Sequence, residues 1–358
     1  MDSVAESRPT SVGPVNIGLD PGFGGTKAAC IAPGGAHVVI VPSVVGVGQT
    51  DLGLLSVGKL GRRRRSRQPD QVSFEGVNYL VGENVARYAR PVERMDFLRL
   101  SDGPELRALF YNVIFRLLGE GQHRANVMLG LPVEMMADRE QARSTLQALR
   151  RWIVGDHVFA VNGCEARLTV ANLLAMAQPA GTFFAWGLND QGKWTRPRAD
   201  LKAPVAVCDV GFCTLDLFVV EGGEVVGRFT SGDTVGMRRA AELVINSVRN
   251  GYGVGLSLHK ADALVRQRQP RLHTARGEQN LGSQVGQALD TTAAAVISFV
   301  ERHWGNGRQF AHLLFTGGGA EALRDSLLHQ YPHGVVLPSP VTANALGLAR
   351  YAVRAFCR

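Results

Sequence analysis

Two stretches of the sequence share a pattern that could bind phosphate. Each has an Asp, then Gly-Phe and a nearby Thr, directly after an apolar run: Asp20-Pro21-Gly22-Phe23 with Thr26, and Asp209-Val210-Gly211-Phe212 with Thr214. One such turn alone is equally typical of a tight hairpin. Two copies, one in each half, can face each other across a cleft and offer backbone N–H groups to a polyphosphate. Asp20 and Asp209 would then hold a hydrated Mg²⁺, which binds carboxylate and phosphate oxygens.

Two further features fit the same chemistry. Lys27 follows the first turn and would place a cation near phosphate oxygens, although a solvated lysine at a strand end explains it as well. The stretch 313–320, LLFTGGGA, puts three glycines between an apolar strand and a helix that we expect to begin near Glu321. Glycines allow the backbone to approach a flat ring or a ribose, and a helix N-terminus favours an anion. The candidate nucleotide-binding residues are Gly22, Phe23, Gly24, Gly25, Thr26, Lys27, Gly211, Phe212, Cys213, Thr214, Gly317, Gly318, Gly319 and Ala320.

Strands and helices alternate around these turns, which predicts an α/β fold in both halves. The expected strands are Val15–Leu19, Ala28–Ile31, His37–Val41, Asn78–Val81, Asn126–Leu131, Ala311–Thr316 and Gly334–Leu337, together with two around Asp209. The expected helices are Pro104–Leu118, Asp138–Ile153, Val170–Met176, Val235–Arg249, Leu258–Arg268, Gln279–Trp304 and Thr342–Phe356. Residues 44–75 read as an exposed, loop-like insertion, and the polar stretch 189–203 is the expected domain boundary.

Composition limits the class of protein. A chain of 358 residues with 45% apolar and 20% charged residues can form two globular domains. Five scattered cysteines without a CxxC pair indicate neither a disulfide framework nor a zinc site, so we expect a reducing cytoplasm. No leader and no membrane span is expected, since the longest apolar run, near residues 38–47, is short and interrupted.

The net charge of +8 permits acidic partners. The run Arg62–Arg65 is expected to contact an acidic surface on a neighbouring subunit or an adaptor, and a merely solvated loop is the alternative. Direct nucleic-acid binding is disfavoured because no aromatic residues interleave these arginines to stack on bases.

Taken in order, the motifs resemble those of the superfamily of actin, sugar kinases and heat-shock chaperones. IGLDPGFGGTK is similar to its first phosphate motif, VCDVGFCTLD to its second, FTGGGA to its adenosine motif and TANALGLARYA to its second connecting helix. Within that superfamily, VPSVVG, YLVGENVA, GLPVEMM and the pair Asn344-Ala345 resemble the bacterial ParM-type actins that segregate plasmids.

The resemblance implies two RNase H-like α/β domains that flank a nucleotide cleft, with ATP, or alternatively GTP, and Mg²⁺ between them. The implied domain limits are 14–180 with 341–358 returning to it, and 204–340. Alanines four apart, Ala171 and Ala175, would lie on one face of a first connecting helix, and Ala343 and Gly347 on one face of a second, which allows close crossing. Gln178, placed at the end of the first helix, would orient the attacking water, with a capping residue beside Pro179 as the plain alternative.

The resemblance further implies a cytoplasmic ATPase that polymerises and moves or positions DNA through a plasmid-bound adaptor. Three other classes share the fold: a small-molecule kinase, a nucleotide-binding scaffold without hydrolysis and, less well supported, a chaperone. Two features depart from the family pattern, since Pro21 stiffens the first turn and Cys213 stands where relatives leave a free N–H. Arg238, Arg239 and Glu242 are in the region expected for ribose or base contacts, or belong to a solvated helix face.

Overall fold

The computed structural model describes residues 13–50, 68–92 and 103–356, and within them the chain forms two large sheets and a separate two-stranded hairpin. The first sheet has nine strands in the spatial order β3-β2-β1-β7-β9-β8-β5-β6-β4. Its strands are β1 (Val15–Pro21), β2 (Thr26–Ala32), β3 (Gly35–Val41), β4 (Val45–Val47), β5 (Asp70–Phe74), β6 (Val77–Val81), β7 (Gly121–Leu131), β8 (Gly155–Val161) and β9 (Cys164–Ala177).

The second sheet repeats the arrangement around the glycine turns. Its strands are β10 (Val205–Val210), β11 (Leu215–Glu221), β12 (Glu224–Val225), β13 (Ser231–Asp233), β16 (His312–Thr316) and β17 (Val335–Val336), while β14 (Arg271–Thr274) and β15 (Gly277–Asn280) form a separate hairpin. Strand β1 pairs antiparallel with β2 and parallel with β7, and β10 pairs antiparallel with β11 and parallel with β16. The turns that follow Asp20 and Asp209 therefore each begin at the end of an interior strand of their sheet.

Helices cover both sheets. They are α1 (Pro104–Leu118), α2 (Val133–Ala137), α3 (Arg139–Ile153), α4 (Gln178–Gly187), α5 (Arg198–Lys202), α6 (Arg238–Tyr252), α7 (Leu258–Val265), α8 (Gly282–Trp304), α9 (Gly317–Ala322), α10 (Arg324–Gln330) and α11 (Ala343–Phe356). Helix α3 begins directly after Asp138, as expected. The Asp138 carboxylate is its N-cap and accepts a hydrogen bond from Gln141 N–H at 2.7 Å. Among the helices of the described ranges, none is both long and apolar enough to cross a membrane.

Helices α4 and α11 cross in backbone contact between the two sheets. A Cβ atom on Gly347 would overlap the Gly181 carbonyl oxygen, and a Cβ on Gly181 would overlap backbone atoms of Asn344. Only glycine therefore permits this separation of the helix axes. Helix α11 also packs on β1, which ties the end of the chain to its first strand.

The expected helix Val170–Met176 is wrong, because this segment is part of the long strand β9. Side chains along β9 alternate between buried and exposed up to Val170, and a β-bulge at this point in the β7–β9 pairing then shifts the alternation. The shift brings Val170 and Leu173 to a spacing of three, which imitates a helical period. Ala171 and Ala175 are thus strand residues, and Gly181 takes the close-contact position that they were expected to hold.

Other expectations hold with smaller changes. Helix α1 has the predicted limits, and α11 begins one residue later than expected. Helix α9 begins at Gly317 rather than near Glu321, so the three glycines form its first turn. Strands β4 and β5 lie at the two ends of the expected insertion 44–75, whose centre, including Arg62–Arg65, lies outside the described residues. The domain limits stay a prediction.

Candidate functional site

The first carboxylate of the site is held by the β1–β2 hairpin. Asp20 lies opposite Lys27 in the strand register, and its Oδ2 is 3.2 Å from the lysine Nζ. The Asp20 side chain is 3% exposed, and the strand before it is buried at Ile17 and Leu19. The hairpin thus presents one carboxylate and one ammonium group at the end of a rigid strand.

The β10–β11 hairpin presents the second carboxylate. Asp209 is 6% exposed, and the turn after it is closed by a hydrogen bond from Gly211 N to Thr214 O at 2.8 Å. The carboxylate accepts a hydrogen bond from Asn344 Nδ2 at 2.6 Å, so α11 fixes its orientation.

The third glycine turn packs directly on the second. Gly317 has φ +86°, in the left-handed region that favours glycine, and a Cβ atom there would overlap Asp209 Oδ1 and the Val210 carbonyl. Its N–H is bonded to Pro340 O at 2.9 Å. The missing side chain therefore allows the start of α9 to approach the Asp209 carboxylate.

These turns meet in one cleft of about 810 Å³ between the two sheets. Its volume is within the range of small-molecule sites. The predicted site residues that line it are Asp20, Gly22, Phe23, Gly24, Gly25, Lys27, Gln178, Asp209, Gly211, Phe212, Cys213, Thr214, Gly317 and Gly318. Residues from distant parts of the chain are therefore brought together as expected.

Three predicted residues do not line the cleft. Thr26 is buried, and its hydroxyl lies 3.0 Å from Ser43 Oγ, which in turn donates to Gly22 O at 2.6 Å. Thr26 thus supports the turn from behind. Gly319 and Ala320 are buried inside the first turns of α9, where a Cβ on Gly319 would overlap Val210.

The Asp20 and Asp209 carboxylates are close enough in the cleft for the charge of Asp20 to affect the pKa of Asp209. Burial and the neighbouring Asp20 carboxylate raise the pKa of Asp209 to about 6, although the Asn344 hydrogen bond and Lys27 act in the opposite direction. No group of three or more His, Cys, Asp or Glu side chains in the described ranges could hold a metal ion alone. Two carboxylates near one lysine fit a hydrated Mg²⁺ that completes its coordination with water and phosphate oxygens.

Gln178 begins helix α4 instead of ending a helix, which corrects the position predicted for it. It is 6% exposed at the cleft wall, and its Nε2 donates to Pro21 O at a long 3.4 Å. A weak bond of this length leaves the amide able to turn toward a ligand, and the first turn of a helix gives it a rigid base.

Sequence reasoning missed one wall of the cleft. Helix α7 and its flanks contribute five polar or charged residues, which are Ser257, His259, Lys260, Asp262 and Arg266. Arg266 is paired with Asp262 at 2.9 Å, and its guanidinium lies beside Gly318. The helix itself was predicted, but its periodicity gives no sign of which face meets a cleft.

The residues predicted for ribose or base contacts do not line the cleft themselves, although Arg238 contacts Cys213, which does. Arg238 pairs with Glu242 across one turn of α6 at 2.8 Å, with both side chains about half exposed. Neither these two nor Arg239 lines the cleft. The solvated-face interpretation fits them better. Cys213 does line the cleft, and burial raises the pKa of its thiol.

Family models match both halves of the chain. The N-terminal domain of actin-like proteins matches residues 18–181, and the C-terminal domain of the archaeal MreB-like actin homologue matches residues 207–329. The chain belongs to the actin-like superfamily. No protein with a curated description matches it significantly.

Solved structures of actin-like proteins share the fold over nearly the whole chain. The pCBH ParM, solved as a non-polymerisable quadruple mutant, has a TM-score of 0.76 and 18% identity, covering 96% of this chain and 100% of its own. A 15-stranded ParM filament from Clostridium botulinum has a TM-score of 0.75 and 18% identity, with the same coverage of both chains. The archaeal actin homologue Ta0583, solved in complex with ADP, has a TM-score of 0.71 and 18% identity, covering 95% of this chain and 100% of its own. At this identity the likeness establishes the actin-like fold.

Proposed function

We propose that this actin-like protein polymerises with bound ATP, hydrolyses the ATP in the cleft, and uses its filaments in the cytoplasm to move or position plasmid DNA through a DNA-binding adaptor. The observation that carries the proposal is the convergence of two matching Asp-x-Gly hairpins and a triple-glycine helix start on one cleft. Fold neighbours that include a ParM filament support the self-association. The neighbour solved with ADP supports a nucleotide as the ligand.

Each group at the cleft has a separate task in this proposal. Backbone N–H groups of the two hairpins hold the phosphates, and Lys27 neutralises part of their charge. Asp20 and Asp209 would hold hydrated Mg²⁺, which supplies charge neutralisation for the triphosphate. Gln178 orients the water that attacks the γ-phosphorus, and the remaining barrier is lowered by positioning.

Two substitutions separate binding from hydrolysis. Asp209→Ala should lose Mg²⁺-dependent nucleotide binding and turnover together, because the phosphate charge is then poorly neutralised. Gln178→Ala should keep nucleotide affinity and assembly but hydrolyse about 10²-fold more slowly, the scale of a lost positioning contact, with longer-lived filaments. Nucleotide affinity and single-turnover hydrolysis measure both effects.

Exposed residues of the same types provide the controls. Asp290→Ala on α8 and Gln147→Ala on α3 should behave as the wild type. A normal hydrolysis rate in Gln178→Ala would remove that residue's assigned role. Normal Mg-ATP binding by Asp209→Ala would contradict the placement of the whole site.

A further inference from the structure

A buried chain of hydrogen bonds leads from Asp209 into the helix crossing. Asp209 Oδ2 accepts from Asn344 Nδ2 at 2.6 Å, and Asn344 Oδ1 accepts from Thr182 Oγ1 at 2.7 Å. The Thr182 and Thr316 hydroxyl oxygens are 3.0 Å apart. The four side chains belong to β10, α11, α4 and β16, and none is more than 6% exposed. The chain therefore joins four elements that are distant in sequence.

Counting protons fixes the direction of the hydrogen bonds from Thr182 through Asn344 to Asp209. An ionised Asp209 only accepts hydrogen bonds, so the amide nitrogen of Asn344 must face it and the amide oxygen must face Thr182. A hydroxyl has one proton, and Thr182 donates it to that oxygen. Thr182 can then only accept from Thr316, whose own proton can go either to Thr182 or to Pro340 O.

Thr316 is free to donate in this way without leaving a buried acceptor unpaired. Its hydroxyl is also 2.9 Å from Pro340 O, but that carbonyl already accepts the Gly317 N–H at 2.9 Å. Every member of the network is satisfied when the protons run from Thr316 through Thr182 and Asn344 to Asp209. Fully satisfied buried networks fix the orientation of their members.

This series of hydrogen bonds passes through the point where helices α4 and α11 touch. Thr182 follows Gly181, and Asn344 lies one turn before Gly347, the two glycines whose missing side chains allow the crossing. The orientation of the Asp209 carboxylate thus depends on hydroxyl and amide groups that the crossing helices place.

We propose that Thr182 is a positioning residue that acts through Asn344 to hold the Asp209 carboxylate in the orientation that binds hydrated Mg²⁺ with the nucleotide phosphates. This inference rests on the proposed nucleotide site. It assigns a role to a threonine that does not line the cleft.

If Thr182 only packs, one of two variants should retain function better; if it positions Asn344, the other variant should. Thr182→Val keeps the shape and removes the hydroxyl, whereas Thr182→Ser keeps the hydroxyl and removes a methyl group. If the threonine only fills space, valine is tolerated and serine leaves a cavity. If it positions Asn344, serine is tolerated and valine is not, because the amide oxygen loses its donor.

The first measurement is the Mg²⁺ concentration that gives half-maximal binding of a fluorescent ATP analogue. Thr182→Val should raise it about fivefold, the equivalent of one net buried hydrogen bond, and Thr182→Ser should stay within about twofold of the wild type. Thr292→Val is the matched control, since Thr292 is equally buried in α8 and its hydroxyl donates to Ala288 O of the same helix at 2.8 Å. That control should leave the Mg²⁺ requirement unchanged.

The second measurement needs neither nucleotide nor metal. In protein labelled with ¹⁵N-asparagine, the side-chain amide signals of Asn344, assigned by their loss in Asn344→Asp, should exchange slowly with water in the wild type and in Thr182→Ser. They should exchange rapidly in Thr182→Val. If the wild type binds no nucleotide, the proposed function fails while this measurement still tests the chain. A protected amide and a normal Mg²⁺ requirement in Thr182→Val would overturn the inference.

Discussion

Asp216 is a buried carboxylate that should make the stability of the protein fall as the pH rises. It is 1% exposed on β11, opposite Asp209 in the strand register, and its Oδ1 accepts the Val133 N–H at 3.0 Å. Burial, then the charge of Asp209, raises its pKa to about 7, with a smaller contribution in the same direction from Glu134. The bonds from Val133 N and Thr214 act in the opposite direction.

The sign and size follow from the difference between the folded and unfolded pKa values. Between the ordinary value of 3.8 and about 7, the folded protein keeps a proton on Asp216 that the unfolded chain has lost. Folding stability from this group is therefore complete below pH 3.8 and decreases until about pH 7. A rise of roughly three units corresponds to roughly 4 kcal/mol at 1.36 kcal/mol per unit.

Asp216→Asn removes the ionisation and keeps an oxygen that can accept from Val133. We expect the variant to be more stable than the wild type at pH 8, by up to roughly 4 kcal/mol, and by only about 1 kcal/mol near pH 4.5, where the unfolded carboxyl group is already mostly ionised. Urea unfolding at pH 4.5, 6 and 8 at one ionic strength measures the difference, with Asp290→Asn, an exposed aspartate, as the control. A stability difference that does not change with pH, or a destabilised variant at pH 8, would refute this reasoning.

Two other substitutions test the crossing and the first turn. Gly347→Ala should destabilise the protein by about 3 kcal/mol or more, because the new methyl group meets the Gly181 carbonyl; a thermal midpoint equal to that of the matched Gly286→Ala, in open space on α8, would contradict the crossing. Lys27→Met should weaken binding of the ATP analogue about tenfold, because Asp20 loses its partner at 3.2 Å and the phosphates lose a cation; isothermal titration with unchanged affinity would show that the lysine is only a solvated strand end.

The hairpins were predictable because their signals are local. An Asp-x-Gly turn after an apolar run specifies a strand end, and the presence of two copies in one sequence makes a shared function easier to recognise. The topology then places β1 and β10 in equivalent positions, so the prediction that Asp20 and Asp209 share a cleft with three glycine turns agrees with the structure.

The parts that could not be predicted depend on packing between distant segments. The bulge in β9 interrupts the alternation of buried and exposed side chains at Ala171. From the order of apolar and polar residues alone, that interruption cannot be distinguished from a helical pattern. Asn344 was noticed only as part of a resemblance, because its bond to Asp209 spans 135 residues. The polar residues of α7 could not be assigned to the cleft for the same reason. The identity of Lys260 or Arg266 does not show whether its side chain faces a cleft or solvent.

The central claim is nucleotide-dependent polymerisation, and light scattering with electron microscopy of the purified protein tests it most directly. With ATP and Mg²⁺ we expect a rise in scattering and filaments in the micrographs, and neither without nucleotide. A non-hydrolysable ATP analogue should give filaments that persist. A protein that stays monomeric at high concentration with that analogue, and transfers phosphate from ATP to a sugar, would contradict the claim and identify a kinase of the same fold.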